Sequence, residues 1–516
     1  MDLKKIIRPL GIQDIVMLVA IVSLTCVQLS RVTSDPGFGW HLATGDWIIN
    51  NLKLPTEDPF LSISRPWIVE QWLAEVIMSA SFRLGGWSAL YLLTIIVYLF
   101  SFTVLLYHFA SHIVKDLLAV SLSCFLAFKL GQVHFLSRPV MFSFPCFIVV
   151  CSQIFILLRA IKTGQSDGIK KAFNKAYLYI PITLAVWVNL HPSFMLGLAV
   201  CVLLPLALVL DRIILHAKIV IPYKYITILL ILAFCATLLN PYGFKLHYLA
   251  FSVNNSEFIK SLFNEWHSPN FREYSGVLFE ISIMALLGSL FISRCKGLQW
   301  GFFEFLLLTG LGYATINSVR MLPYFGIALV IPLAEAFSSA VTQLLEGKLK
   351  IIAVALKNIS RKEALTLRGK GIFYAFLIIS VLYASFYQKV LFYNGEFGPE
   401  QEKYPYKALD LIKVRERDSA RTVVAAIMNW GGFITWYGEG RIKAIIDDRS
   451  ALLGETFIKR YLKEIEGGKN WRDLLKEFEA KYLLLEPEST FAKELKSDAP
   501  ESVLYEDDHS ILFYGL

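Results

Sequence analysis

DPGFGWHLATGDWIINNLKLPTEDPF, residues 35–60, decides the fold, because it joins two strongly apolar blocks without being able to cross a membrane itself. An apolar block at 11–31 precedes it, and a second at 87–110 follows the segment VEQWLAEVIMSASFRLGG, residues 69–86. In 39–51 and in 69–86 the apolar residues recur at helical spacing with tryptophans at the edges. Both are shorter than the ~20 residues that a span requires, which predicts two short helices lying in the membrane interface. Between them LPTEDPF, residues 54–60, holds two prolines and reads as a turn that re-aims the chain. A loop over 32–86 is too long to be a mere connector.

Working outward, further apolar runs fall at 116–132, 139–158, 176–190, 193–214, 224–239, 276–293, 301–316, 320–341 and 371–387, about eleven spans in all. Composition agrees. Of 516 residues 55% are hydrophobic and 14% aromatic, whereas charged residues fall to 18%, against the ~25% of soluble domains. Collagen-like, disordered and disulfide-framework chains are excluded. The seven cysteines sit in or beside apolar blocks with no metal-type spacing. The net charge of +8 is carried by short loops between apolar runs, where topology explains it without nucleic acid.

Orientation follows from those loops. With the N-terminus inside, and the first block retained as an anchor behind Lys4, Lys5 and Arg8, inner loops collect Lys115, Arg159, Lys162, Arg212, Lys218, Arg294, Lys296, Lys348, Arg361 and Arg368. That is the positive-inside pattern of a multi-pass protein of the cytoplasmic (inner) membrane. Asp35, His41, Asp58, Glu70, Arg138, His191, Asn240, Glu265 and Arg320 then gather at the outer face, several of them in the loops 32–86 and 240–275. Ionisable groups at span ends pair with one another or line a wet cavity, so this gathering is the strongest site signal in the sequence. From residue 391 the composition becomes that of a soluble domain. Helix-like and strand-like runs alternate there up to a terminal hairpin, which predicts an extracytoplasmic α/β domain over 391–516 behind an all-α polytopic membrane domain over 1–390.

The outer-face residues suggest chemistry. Asp35 follows the first span on a segment broken by Pro36, Gly37 and Gly39. It suits a general base towards a hydroxyl or amine acceptor, or equally a helix-capping carboxylate paired with a base. Arg138, Arg320 and His191 occupy equivalent depths and suit a lipid phosphate, since guanidinium grips phosphate oxygens bidentately; the alternative is helix-to-loop ion pairing. Glu265 and Trp266 offer a carboxylate and a sugar-stacking ring, although Trp266 equally suits an interfacial anchor. Asp58, beside Glu57, reads as a second carboxylate or as a solvated loop acid. Glu70 and Glu75 lie five apart, so at most one of them faces the site. His108 and His112 stand at helical spacing on the inner side and read as structural. In the outer domain NWGGFITW (429–436) and IIDDRS (445–450) stand out, the glycine pair for close backbone approach and the acids for their place at a strand end.

Taken together, 35–60 with VEQWLAEV, SRPVMFSF, NLHPSF, NPYG, EWHSPNF, RMLPYF and IIDDRS resembles a family of prokaryotic multi-spanning proteins that looks like a branch of the GT-C superfamily of membrane glycosyltransferases. The resemblance covers most of the chain. It implies a GT-C-like fold, a catalytic acid at Asp35, lipid-phosphate ligands at Arg138 and Arg320, and a polyprenyl-phosphate-linked sugar as donor. His191, His41, Asp58, Glu70, Glu265 and Trp266 complete the expected substrate site. The expected partners are membrane lipids, the lipid-linked sugar and a glycan, lipid or protein acceptor, with no nucleic acid. This chain carries glycines at 37 and 39, where relatives often have a second acid and an aromatic, and it has no DxD motif, so a divalent metal is left open. The leading expectation is sugar transfer on the extracytoplasmic side. A non-catalytic scaffold in envelope assembly and a lipid or solute transporter are the rivals.

Overall fold

The computed structural model describes residue 19 and residues 35–298, 300–345, 350–366, 398–400 and 402–516. The spans expected at 11–31 and 371–387, and the inner-loop residues Lys348 and Arg368, lie outside the described residues.

The first outer loop builds two helices where the periodicity predicts them. Helix α1, Phe38–Asn51, stops at Leu52 in the left-handed conformation just ahead of the proline turn. Helix α2, Trp72–Leu99, is broken at Gly85 and Gly86, the latter with φ of 61°. Its first part is the second short helix, and beyond the glycines it continues through Phe100–Leu105 to Ile113. The remaining membrane helices are α3 (Leu117–Gly131), α4 (Ser143–Thr163), α5 (Ser166–Leu190), α6 (Phe194–Ile213), α7 (Tyr223–Thr237), α8 (Lys245–Asn255), α9 (Glu257–Leu262), α10 (Tyr274–Ser293), α11 (Phe302–Asn317), α12 (Leu322–Leu345) and α13 (Lys350–Thr366).

Among the described residues six helices are long and apolar enough to cross a membrane, and α7 and α11 are shorter apolar helices. The chain is thus a multi-pass membrane protein by its helices. The apolar run expected at 176–190 is only the second half of α5, whose first half carries Lys170, Lys171 and Lys175. In lipid the helices gain little from apolar burial and depend on close packing. The centre is therefore aromatic, with Tyr98 edge-on to Phe135 at 4.9 Å and Phe147 perpendicular to Tyr324 at 5.2 Å.

At the C-terminal end of α4, residues read as inner-loop cations are paired within the bundle. Arg159 binds Glu304 at 2.8 Å and Glu335 at 2.7 Å, while Lys162 stands 3.8 Å from Glu304. A cavity of about 680 Å³ opens there, lined by His112, Lys115 and Glu335 among others.

The C-terminal domain contains α14 (Tyr406–Arg415), β1 (Thr422–Ala426), α15 (Met428–Tyr437), β2 (Ile442–Ala444), α16 (Glu455–Ile465), α17 (Trp471–Glu477), β3 (Ala480–Leu485), α18 (Thr490–Asp498), β4 (Val503–Glu506) and β5 (Ile511–Tyr514). The sheet order is β2-β1-β3-β5-β4, with β2, β1 and β3 parallel and β4–β5 the antiparallel hairpin. NWGGFITW is helical, against the low helix propensity of its two glycines, because α15 needs that bare surface to meet α1. A Cβ on Gly39 would lie 2.0 Å from the Gly432 carbonyl oxygen, so the two backbones touch.

The first outer loop is also stitched to the edge of that sheet. Ser62 N donates to Ala444 O at 2.9 Å, Lys443 Nζ to Pro59 O at 2.9 Å and Arg65 Nη1 to Leu453 O at 2.8 Å. These contacts fix the loop after β2, which carries Asp447, Asp448 and Arg449, against the loop 32–86. Ligands of parallel sheets dock at this carboxyl edge.

Candidate functional site

A cavity of about 520 Å³ lies between the membrane helices, the first outer loop and the loop after β2. Arg138, at the entrance to α4, and Arg320, in the one-turn helix ahead of α12, both line it. They converge on one carboxylate. Glu265 accepts from Arg138 Nη1 at 2.5 Å, and its other oxygen lies 3.5 Å from Arg320 Nη1. The Arg320 guanidinium also sits 4.2 Å over the Trp266 ring, so the short turn Asn264–Trp266 holds both arginines at once. Burial alone would raise the Glu265 carboxyl, but Arg138 and then Arg320 overcome it and hold the group at about 2.

Arg138 has a second partner. Its Nε and Nη2 donate to the two oxygens of Asp35, a bidentate fork–fork pair, and Asp35 also accepts from the backbone of Gly37 at 3.3 Å. Asp35 is only 4% exposed and does not line the cavity. Its carboxylate lies behind Arg138, with both oxygens engaged.

His191 lines the cavity, and its tautomer can be read from its neighbours. Ser193 N donates to His191 Nδ1 at 3.1 Å, so Nδ1 is an acceptor. Burial first, then Arg320, pushes the imidazole down to about 3, so it is neutral and Nε2 bears the proton. Ser193 Oγ in turn takes part in hydrogen bonds with Ser143 at 2.8 Å and Tyr324 at 3.1 Å, which tie the imidazole to α4 and α12. His134, another lining residue, has a buried Nε2 without a hydrogen-bond partner among the described residues.

The opposite wall comes from the first outer loop. His41 and Glu70 line the cavity, and His41 Nδ1 is 3.0 Å from Glu75 Oε1. Burial, then Arg138, holds His41 well below its ordinary value. Glu70 is half-buried, and desolvation pushes its carboxyl up to about 7 against the weaker pull of its own backbone N–H and of Arg449. Of Glu70 and Glu75, only Glu70 lines the cavity; it precedes α2, which starts at Trp72, so the expectation that both lie on one helix does not hold.

Asp58 is a correction. It is 2% exposed, accepts from the backbones of Phe60 and Leu61, and binds Arg449 Nη1 at 2.8 Å. It does not line the cavity, because its carboxylate serves to fasten the proline turn to the C-terminal domain. Arg449 is also bound to Asp447, and its guanidinium lies 4.6 Å over Trp67. Seven of the nine residues expected in the site, all except Asp35 and Asp58, line the one cavity.

Sequence reasoning left out the groups from the far domain. Asp448 and Arg449 line the cavity, and Trp40 Nε1 donates to Asp448 Oδ1 at 2.7 Å. IIDDRS was the available signal, since acids at the carboxyl end of a strand mark a docking edge. His134 gave none. Burial, then Asp35 and Asp447, pushes the Asp448 carboxyl up to about 7, against Arg138 and the Trp40 hydrogen bond. A Cβ on Gly37 would lie 2.8 Å from Asp448 Oδ2 and 3.6 Å from Asp35 Oδ2, so the missing side chain leaves the two carboxylates facing one another. Among the described residues no group of three or more His, Cys, Asp or Glu stands ready to hold a metal ion.

With this geometry in place, the chain can be set beside known proteins. No family model matches it, and no curated protein matches it either. Over 92% of its length it is similar to the solved oligosaccharyltransferase of Archaeoglobus fulgidus, determined with zinc and sulfate, at a TM-score of 0.49 and 11% identity, covering 68% of that chain. It is similar over the same share to the arabinofuranosyltransferase AftD from Mycobacteria, at a TM-score of 0.48 and 13% identity, and spans 35% of that protein. By name both transfer sugars. A likeness at this level carries no argument about activity, which rests on the cavity.

Proposed function

We propose that this protein is a membrane glycosyltransferase that moves a sugar from a polyprenyl-phosphate carrier to an acceptor on the extracytoplasmic side. The observation that supports this best is the convergence of Arg138 and Arg320 on the single Glu265 carboxylate within the cavity. Two guanidiniums and the Nε2–H of His191 match the oxygens of a phosphate and would stabilise it as it departs. Beside them the cavity has an apolar wall from Leu246, Leu249, Ala250 and Val253 of α8 and from Leu196 of α6, suited to the first isoprene units. His41, Glu70 and Trp266 offer hydrogen bonds and a ring face to sugar hydroxyls. The positive-inside loops favour the outer leaflet, where a lipid-linked donor is the accessible form of activated sugar.

Asp35, the catalytic acid implied by family resemblance, takes a positioning role here. With both oxygens bound by Arg138 and none facing the cavity, it sets the angle at which Arg138 meets the phosphate. The test is transfer of radiolabel from polyprenyl-phosphate-linked sugars to membrane acceptor fractions. Loss of transfer in Arg138→Ala and Arg320→Ala, with normal insertion of both variants, is the expected result. Undiminished transfer in both removes the phosphate site.

A further inference from the structure

We infer that Asp448, supplied by the C-terminal domain, is the general base that takes the acceptor's proton, so that the active site is completed by both domains. The inference rests on the transferase reading above and names the group that the reading lacks.

Glu265 is held between Arg138 and Arg320, in the grip proposed for the phosphate, which leaves three carboxylates to weigh. Asp35 is engaged by Arg138 through both oxygens and does not line the cavity. Glu70 lines it, but the basic group whose charge acts on it is Arg449 and not Arg138. Asp448 lines the cavity and feels Arg138 directly. Its only side-chain hydrogen bond among the described residues comes from Trp40, to Oδ1 at 2.7 Å. That bond fixes the carboxylate while leaving Oδ2 on the side of Asp35 and Arg138. The base must reach the acceptor hydroxyl that attacks a sugar whose phosphate is held by Arg138, and Asp448 turns Oδ2 toward the Asp35–Arg138 pair without being bound by it.

The step balances without a co-reactant. The acceptor's O–H proton passes to the Asp448 carboxylate as the acceptor oxygen bonds to the anomeric carbon. The bond from that carbon to the phosphate oxygen breaks, and its electron pair leaves with the phosphate, where Arg138 and Arg320 balance the charge. Asp448 afterwards releases the proton to solvent. A carboxyl that titrates near neutrality, as burial and Asp35 make this one, is matched to both halves of the cycle.

The test uses the full chain in lipid nanodiscs, with undecaprenyl phosphate as binding probe and a panel of labelled undecaprenyl-phosphate monosaccharides as donors. Asp448→Asn should bind undecaprenyl phosphate within about threefold of wild type while kcat falls about 10²–10⁴-fold, the range of general-base catalysis. The rise of rate with pH should vanish in that variant and persist in Glu70→Gln. Infrared spectra in the Glu70→Gln background supply a readout that needs no turnover: a carboxylic-acid band that titrates near neutral pH, responds to undecaprenyl phosphate and disappears when Asp448→Asn is added. Wild-type kcat with an intact pH limb in Asp448→Asn overturns the assignment, as does persistence of that infrared band or a transfer of the pH effect to Glu70→Gln. A wild-type chain that neither binds undecaprenyl phosphate nor transfers any sugar overturns the transferase reading itself.

Discussion

The indole N–H of Trp40 donates to Oδ1 of Asp448 at 2.7 Å, across 408 residues of chain. Trp40 belongs to the loop after the first apolar block and Asp448 to the carboxyl edge of a sheet in the last domain. Their bond, with the Asp58–Arg449 pair beside it, ties the loop 32–86 to the sheet edge along the wall of the cavity.

In the proposed transferase Glu265 occupies the place of the phosphate between Arg138 and Arg320. Held at about 2, it is ionised at every working pH and competes with any anion for Arg138 and Arg320. Glu265→Gln should therefore tighten undecaprenyl phosphate binding about tenfold, or about 1.4 kcal/mol. Equilibrium titration in nanodiscs measures this. Weaker binding in the variant would assign Glu265 to holding the arginines in place.

Arg449 neutralises two buried acids, Asp58 and Asp447. Arg449→Ala strands both, and breaking a buried pair from one side costs about 3–5 kcal/mol. Thermal unfolding followed by tryptophan fluorescence should show a clear fall in Tm. Adding Asp58→Asn and Asp447→Asn should recover part of it, and a silent Arg449→Ala would contradict the pairing.

Gly39→Val places a side chain against the backbone of α15, where even a Cβ comes within 2.0 Å of the Gly432 carbonyl oxygen. The helices must separate, and the C-terminal domain loses its seat. Limited trypsinolysis should release that domain faster from the variant than from wild type, and equal rates would show that the contact is dispensable.

Asp448 and Glu70 keep protons up to about 7 in the folded chain, whereas unfolded carboxyls release them near ~4. Between those values the folded state binds more protons, so this contribution is full below about pH 4 and is lost as pH rises through about 7. His41, depressed by burial, works in the opposite sense and adds stability as pH climbs through its unfolded value near ~6.5. Comparing wild type with Asp448→Asn/Glu70→Gln cancels the histidine. Wild-type Tm should decline relative to the variant between about pH 4 and 7, and parallel curves would remove the two raised carboxyls.

The fold was legible in outline because membrane helices and alternating strands are local patterns. The two helices within 32–86, the break at Gly85–Gly86 and, apart from α15 and α18, the order of elements from Tyr406 to the hairpin Val503–Tyr514 follow from spacing, proline and glycine. The α15 helix did not, because its glycines argue against a helix until α1 is laid upon them. The ion pairing of Arg159 and Lys162 was hidden too, since positive-inside counting assigns a side to a lysine or arginine without assigning it a partner.

By itself, then, the sequence determined a polytopic membrane protein with an α/β domain at its end and a set of polar residues gathered at one face, because period, length and charge bias act along the chain. Only the tertiary structure decided which carboxylates face the cavity. Asp35 turns to Arg138, Asp58 to Arg449, and Asp448 remains toward the empty space. The direction of a carboxylate is set by its nearest opposite charge and by burial, and both come from partners hundreds of residues away that no local pattern can supply.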